Sequence, residues 1–389
     1  MQVFGVFLVP LTTEFGWGRG ALSGAYSASF LLSGFLGIIA GRFSDKYGPR
    51  ILLTVAGLMM GSGLLLMSYI NSLWQVYLVW GLVVGVGWGS CLIPVISTIP
   101  RWFEEKRGLA TGIAVSGIGI GGIIWPLLAQ WLISAYGWQR AFFILGLIIF
   151  AIIIPLAQFM KHSPERTGVK AYGEAGTVID EQSSALNGGF SFNQVIRTSR
   201  FWMLGLLHFC FLFSVHVLIV HIVPYAVRIG FSAAVAASIL SVIAGSSVFG
   251  RLAIGFVSDK IGGRLAMSAC LIIATLALIW LQFAKEVWML YIFAVVFGLA
   301  WGGMVPLGTV VTAELFGLKS LGTVLGSILL IGTMGGGVGT PLAGTIFDIT
   351  ESYSLAFSIC AALGALAIIF SVILIRYKVK GSGVQVYKF

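Results

Sequence analysis

Uncharged or nearly uncharged runs of about 20 to 27 residues recur eleven times along this chain of 389, each long enough to cross a hydrocarbon core of roughly 30 Å as a helix. They cover approximately residues 21–40, 51–70, 73–99, 108–134, 141–160, 201–227, 231–258, 265–284, 287–313, 321–347 and 352–375. In lipid every backbone amide must find its partner inside the protein, so such long runs can only be α-helices. Composition agrees: 58% of residues are hydrophobic and 9% charged, too few to coat a globule in water. Residues 1–11 would reach about 16 Å as a helix and cannot span alone. They are read as the outer half of a first helix whose start precedes residue 1. The segment has neither the basic start nor the small-residue cleavage site of a signal peptide.

The net charge of +10 is distributed by side. With loops alternating across the membrane, eighteen Lys and Arg fall on one side and four, Arg19, Arg140, Arg228 and Lys285, on the other. This bias places the richer side and the C-terminus in the cytoplasm, and a prokaryotic inner membrane is the expected location. The charge therefore reports orientation, and no nucleic-acid partner is expected. Cys91, Cys210, Cys270 and Cys360 lie in apolar runs without metal or redox spacing, which reads as packing. No cofactor, metal or catalytic group is expected, and the chain is not read as an enzyme.

Two charged turns, 214 positions apart, agree at six of ten positions: Gly41-Arg-Phe-Ser-Asp-Lys-Tyr-Gly-Pro-Arg50 and Gly255-Phe-Val-Ser-Asp-Lys-Ile-Gly-Gly-Arg264. A shift of about the same size brings Gly85-Val-Gly-Trp-Gly89 onto Gly298-Leu-Ala-Trp-Gly302. The repeat thus covers whole halves, a pattern of transporters built from duplicated bundles. Expected boundaries are a first bundle over 1–160, a polar cytoplasmic linker over 161–200, a second bundle over 201–376 and a cytoplasmic tail over 377–389. Glycines crowded inside helices, such as Gly117, Gly121 and Gly122, allow close helix approach, whether at a rocking interface or in static packing.

The doubled Gly-x-x-x-Asp-Lys-x-Gly-x-Arg turn resembles the signature loop of the major facilitator superfamily. The resemblance implies two six-helix bundles related by a pseudo-twofold axis, an all-α membrane fold, with the first helix apparently cut at its N-terminal half. Gly41, Asp45, Lys46 and Arg50, with Gly255, Asp259, Lys260 and Arg264, are then gating residues. Asp45 and Asp259 could cap the following helix or pair with basic residues of a neighbour. Within the superfamily, Arg101-Trp-Phe-Glu-Glu-Lys-Arg-Gly108 through Gly117, and Thr340-Pro-Leu-Ala-Gly-Thr-Ile-Phe-Asp348 followed by Ser352-Tyr353, resemble monocarboxylate transporters and oxalate:formate exchangers.

A duplicated chain supplies its own control, because a polar residue present in one half alone is a candidate for cargo. Arg251 aligns with Gly37 and, eight residues from Asp259, lies about 12 Å inside the membrane face. A guanidinium at that depth needs a wet cavity or an anion, and its planar fork matches a carboxylate. The alternative is an arginine held by carbonyls and water for packing. The resemblance agrees with a substrate role, since both families carry a substrate arginine in the eighth helix. The exchanger type adds a lysine in helix 11, where this chain has no charge over 321–347, so a monoanion is favoured. Some animal monocarboxylate transporters also use a helix 1 lysine and an aspartate before the arginine; Gln2 and Ser247 stand near those places here.

His208, His216 and His221 share one run and are the membrane groups that ordinarily titrate near neutrality, so proton coupling would involve one of them, against a packing role for each. Trp88, Ser90, Trp125 and Trp301 are candidate cavity residues. The expected function is alternating-access transport of a small monocarboxylate such as lactate or pyruvate with proton symport, by a monomer in the bilayer. The alternatives are organic-anion exchange and a transporter-like carboxylate sensor.

Overall fold

The chain is described from a computed structural model, which covers residues 3–91, 94, 95, 98, 102, 107–160, 190–317 and 320–376; at 37–39, 41, 42, 44–46, 107–113, 115 and 259 only the backbone is described. The helices of the first half are α1 (Phe4–Phe15), α2 (Arg19–Tyr47), α3 (Pro49–Met67), α4 (Leu73–Gly89), α5 (Arg107–Tyr136) and α6 (Trp138–Phe159). Those of the second are α7 (Ser199–Arg228), α8 (Ala233–Ile261), α9 (Gly263–Phe283), α10 (Val287–Phe316), α11 (Leu321–Thr350) and α12 (Ser354–Arg376). Nine of the described helices are long and apolar enough to cross a membrane; α1 and α4 are shorter apolar helices.

The run expected over 73–99 is helical to Gly89, with a π-helical stretch over Tyr77–Val84, then turns at Ser90 and Cys91. The expected linker over 161–200 is described only in its far part. Residues 161–189 lie outside the described residues, but the chain from Phe190 is already docked on the second half: its N–H donates to Phe316 O at 3.1 Å, and Ser320 donates to Phe190 O at 2.8 Å. A single turn, Phe192–Val195, closes with a Ser191/Gln194 capping box, and Thr198 caps α7. Local capping chemistry, invisible to a count of polar residues, orders this stretch. The expected tail over 377–389 lies outside the described residues.

The repeat is written into the backbone. Gly48 (φ +86°) and Gly262 (φ +85°) occupy corresponding places just before α3 and α9, where L side chains are strained. The same offset relates Gly16 to Gly230, and Gly137 to Glu351, all at positive φ. Packing repeats as well. A Cβ on Gly89 would meet the Ser33 backbone at 2.8 Å, and one on Gly302 the Ser247 backbone at 2.0 Å, so α4 lies against α2 as α10 lies against α8.

Within each half α3 packs on α6 and α9 on α12. Between halves α2 meets α11, α5 meets α8 and α1 meets α7. Burial follows position: 83% of the most apolar window of α7 is buried, against 28% for α6 and for α12. A helix apolar all round belongs at the centre of the bundle, so α7 is central while α6 and α12 present flanks to lipid.

Candidate transport site

Along α2 and α11 the two halves touch at backbone level at one end. A Cβ on Gly344 would sit 2.6 Å from Gly20 Cα, so no other residue lets these helices meet so closely. The adjacent Asp348 carboxylate accepts from the Arg19 and Gly20 N–H groups, both at 2.8 Å. An acid of the second half thereby caps the N-terminus of a first-half helix, satisfying amides that α2 cannot pair itself. Arg19 donates to the Tyr353 hydroxyl at 2.8 Å and lies 3.8 Å over the Phe347 ring. Burial pushes the Tyr353 hydroxyl up to about 12, against the opposing pull of the Arg19 guanidinium.

Deeper in, His221 is fully buried and bonded on both ring nitrogens, Nε2 to Thr340 O at 2.8 Å and Nδ1 to the Tyr353 hydroxyl at 3.1 Å. A carbonyl only accepts, so Nε2 carries the proton. In the neutral ring Nδ1 then accepts from Tyr353, while Arg19 donates to the same phenol oxygen. The Thr340 and Ser27 hydroxyls, 2.5 Å apart, carry the chain back to α2. A series of polar contacts, linked through the residues Arg19 and Thr340, therefore seals the Arg19 end.

Toward the end that bears the doubled turns the described contacts between halves run out. A Cβ on Gly34 would meet Thr333 at 3.2 Å, but one on Gly326 or Gly322 would meet no described atom within 4 Å. The second seam behaves alike. Ser241 of α8 donates to Ile123 O of α5 at 2.9 Å, and a Cβ on Gly119 would meet Val248, whereas one on Gly255 would meet no described atom within 4 Å. Both seams are closed at the Arg19 end, and their described contacts reach to about mid-length.

Between them lies a cavity of about 380 Å³ whose lining includes Trp88, Trp125, Trp301, Phe30, Tyr26 and His216. His216 Nδ1 bonds to the Tyr26 hydroxyl at 2.8 Å, joining α7 to α2, and its ring lies 3.8 Å from that of Phe30. A Cβ at Gly336 would be 2.6 Å from the His216 ring, so α11 leaves room for it only by having glycine there. Cys91 also lines the cavity; Ser90 and His221 do not.

Arg251 does not itself line that volume, but its side is fixed by its neighbours on α8. Ser247 faces Gly302 of α10, Val248 faces Gly119 of α5, and Phe249 and Leu252 are exposed at 69% and 70%. At about 100° per residue, Arg251 falls between the α10 and α5 contacts, away from the lipid-facing pair. The flanking helices are those that contribute Trp301 and Trp125 to the cavity. Arg251 is thus three residues, about 4.5 Å, beyond the Val248 contact toward the open end.

The doubled turns are alike in backbone and different in partners. Arg50 donates to Gln158 of α6 at 2.7 Å, whereas Arg264 pairs with Glu314 of α10 at 3.2 Å and donates to Leu374 O at 3.3 Å. Glu314 also accepts from Gly263 N–H at 2.9 Å. Lys260 lies over the Phe256 ring at 4.6 Å. The side chains of Asp45, Lys46 and Asp259 and the surroundings of Gly41 lie outside what is described. His208 Nδ1 donates to Leu204 O of its own helix, 2.9 Å away, a packing contact. No group of three or more metal ligands occurs among the described residues.

Sequence reasoning singled out Trp88, Trp125, Trp301 and His216, and the structure brings all four to one cavity. It did not find Tyr26 and Phe30, or the roles of Arg19 and Asp348. Asp348 and Tyr353 had signalled themselves only as family resemblance, because their partners lie more than 300 residues away.

A sequence profile described as Major Facilitator Superfamily matches residues 1–265 and 230–386. Monocarboxylate transporter 13 of Rattus norvegicus is 29% identical over 365 residues, 93% of this chain and 82% of that one. Monocarboxylate transporter 12 of Homo sapiens is 28% identical over 358 residues, 86% of this chain and 68% of that one. Among solved structures, a bacterial homologue of the human lysosomal transporter Spinster, in an inward-facing and unoccupied conformation, superposes with a TM-score of 0.70 at 19% identity, over 96% of this chain and 91% of that one. Two six-helix halves, a repeated turn and a cavity between them agree with these likenesses: the chain belongs to the major facilitator superfamily of membrane transporters.

Proposed function

We propose that this transporter carries a monocarboxylate by alternating access, with Arg251 as its carboxylate anchor and a proton as co-substrate. The carrying observation is the position of Arg251 on α8, turned between two of the helices that wall the cavity and one turn past the Val248–Gly119 contact of α8 with α5. A carboxylate bound at the guanidinium adds an anion to a cation inside the membrane and so favours closure of that end around the pair. The names of the relatives support the cargo class, whose smallest members would be lactate and pyruvate. The richer basic side, with the C-terminus, is cytoplasmic in this reading, so the state described is open inward. The membrane is a prokaryotic inner membrane, the unit is a monomer, and proton entry uses His216, which bridges the halves at the cavity.

The test is uptake of labelled monocarboxylates into proteoliposomes with and without an imposed pH gradient. Arg251→Ala is expected to lower uptake at least a hundredfold with membrane insertion intact, and Arg251→Lys to recover little, since lysine lacks the planar fork. Full activity in Arg251→Ala would sink the reading. Flux that ignores the gradient but requires internal substrate would replace symport by anion exchange, and saturable binding without flux would indicate a sensor.

A further inference from the structure

A lactate-sized cargo is a poor match to the cavity this chain builds. Its volume of about 380 Å³ has room for about a dozen waters at liquid density. Three indoles, a phenyl and a phenol line it. Beside Trp125 the cavity face of α5 carries glycines: a Cβ on Gly117 would meet no described atom within 4 Å, and one on Gly121 would meet Trp125. A carbon skeleton of three atoms would leave most of those aromatic faces against water, whereas one with a ring would cover them.

The level of the charge points the same way. Val248 packs opposite Gly119, and the helices run antiparallel, so Arg251 is level with about residue 116 of α5. Trp125 stands nine residues further along α5, about 13 Å away along the axis. The arginine side chain covers part of that span. A short anion that meets the guanidinium does not extend to Trp125; an anion with a ring two or three bonds from its carboxylate does.

We propose that the cargo is an arylalkanoate, a monocarboxylate whose aromatic ring lies among Trp88, Trp125 and Trp301 while its carboxylate meets Arg251. The assignment rests on the monocarboxylate reading above and narrows it. Indole faces accept a ring edge-on or offset-stacked, and the absence of any described acidic side chain from the lining leaves no partner for a cationic or zwitterionic cargo.

The experiment compares saturable uptake of labelled 3-phenyllactate, lactate and the neutral 3-phenylpropanol into proteoliposomes of the full chain, with protein-free vesicles subtracting passive entry. Expected is a half-saturation concentration for phenyllactate at least about tenfold below that for lactate, from burial of the ring. Two substitutions should collapse that preference: Trp301→Ala, which removes an aromatic wall, and Gly117→Val, which fills open space without displacing a neighbour. Equal or tighter handling of lactate by the unmodified protein overturns the arylalkanoate assignment and leaves the monocarboxylate reading standing. Phenylpropanol uptake matching that of phenyllactate overturns both, as does saturable uptake of none of the three. Persistence of the preference in both variants overturns the placement of the ring.

Discussion

The two ends of the seam between the halves are built differently. At the Arg19 end, α2 and α11 meet glycine to glycine, and a polar relay from Asp348 through Arg19, Tyr353, His221 and Thr340 to Ser27 crosses between halves. At the other end a Cβ on Gly322, Gly326 or Gly255 would meet no described atom within 4 Å, and the described polar contacts of the doubled turns stay within one half: Arg50 to Gln158 in the first, Arg264 to Glu314 in the second. Among the described residues, then, the contacts at one end join the halves and those at the other stay within each half. A transporter that rocks needs a closure it can undo, and short-range contacts between rigid bundles, each lost once the helices separate, provide that.

The largest expected disruption of this contrast is Gly344→Leu. A side chain there has only the Gly20 backbone to displace, an overpacking of about 1–3 kcal/mol, or roughly five- to 150-fold in the closed-to-open ratio. Spin labels on α2 and α11 at the Arg19 end should report longer distances, and uptake should fall at least tenfold; unchanged distances would show that the glycine contact does not hold this end. Asp348→Ala removes both acceptors at the α2 N-terminus and should cost about 1 kcal/mol, read as a severalfold rise in labelling of a cysteine placed at Thr345.

Tyr353→Phe should have a slightly smaller effect, about 1 kcal/mol or less, because His221 keeps its bond to Thr340. Its pH behaviour is distinctive. The phenol is held protonated, with its folded value raised to about 12, so its contribution is complete below the ordinary value near 10 and fades only as pH climbs toward 12. Closure in the unmodified protein and in Tyr353→Phe should differ by a constant factor from pH 6 to pH 9. A factor that changes across that range would place a titrating group in the relay. The smallest effects on closure belong to the doubled turns. Arg264→Ala breaks a half-buried pair and should lower thermal stability by about 1 kcal/mol, while Arg50→Ala, whose partner is a neutral amide on an exposed surface, should change it by less than about 0.5 kcal/mol. Neither should alter the spacing at the Arg19 end.

Histidines show how far residue type alone carries. His208, His216 and His221 lie on one helix, and the sequence offered each the same two readings, proton carrier or packing. The structure separates them: His208 bonds within its own turn, His216 bridges the halves at the cavity, and His221 belongs to the relay at the sealed end. What distinguishes them is the helix each one faces, and that is set by α2, α11 and the loop before α12.

The length of the apolar runs, the alternation of charge and the offset between the doubled turns were readable from the order of residues, because lipid leaves a chain few choices and a duplicated unit repeats its turns at fixed spacing. Arg251 stood out for the same reason, a charge in one half opposite Gly37 in the other. The polar relay needed the fold, since Arg19 and Asp348 are 329 positions apart and each alone is an ordinary loop-end charge. The aromatic cavity needed it too. Trp88 and Trp301 correspond under the repeat and were candidates with Trp125, but that they share one space with Tyr26 and Phe30 follows only from the packing of α5 on α8 and of α4 on α2.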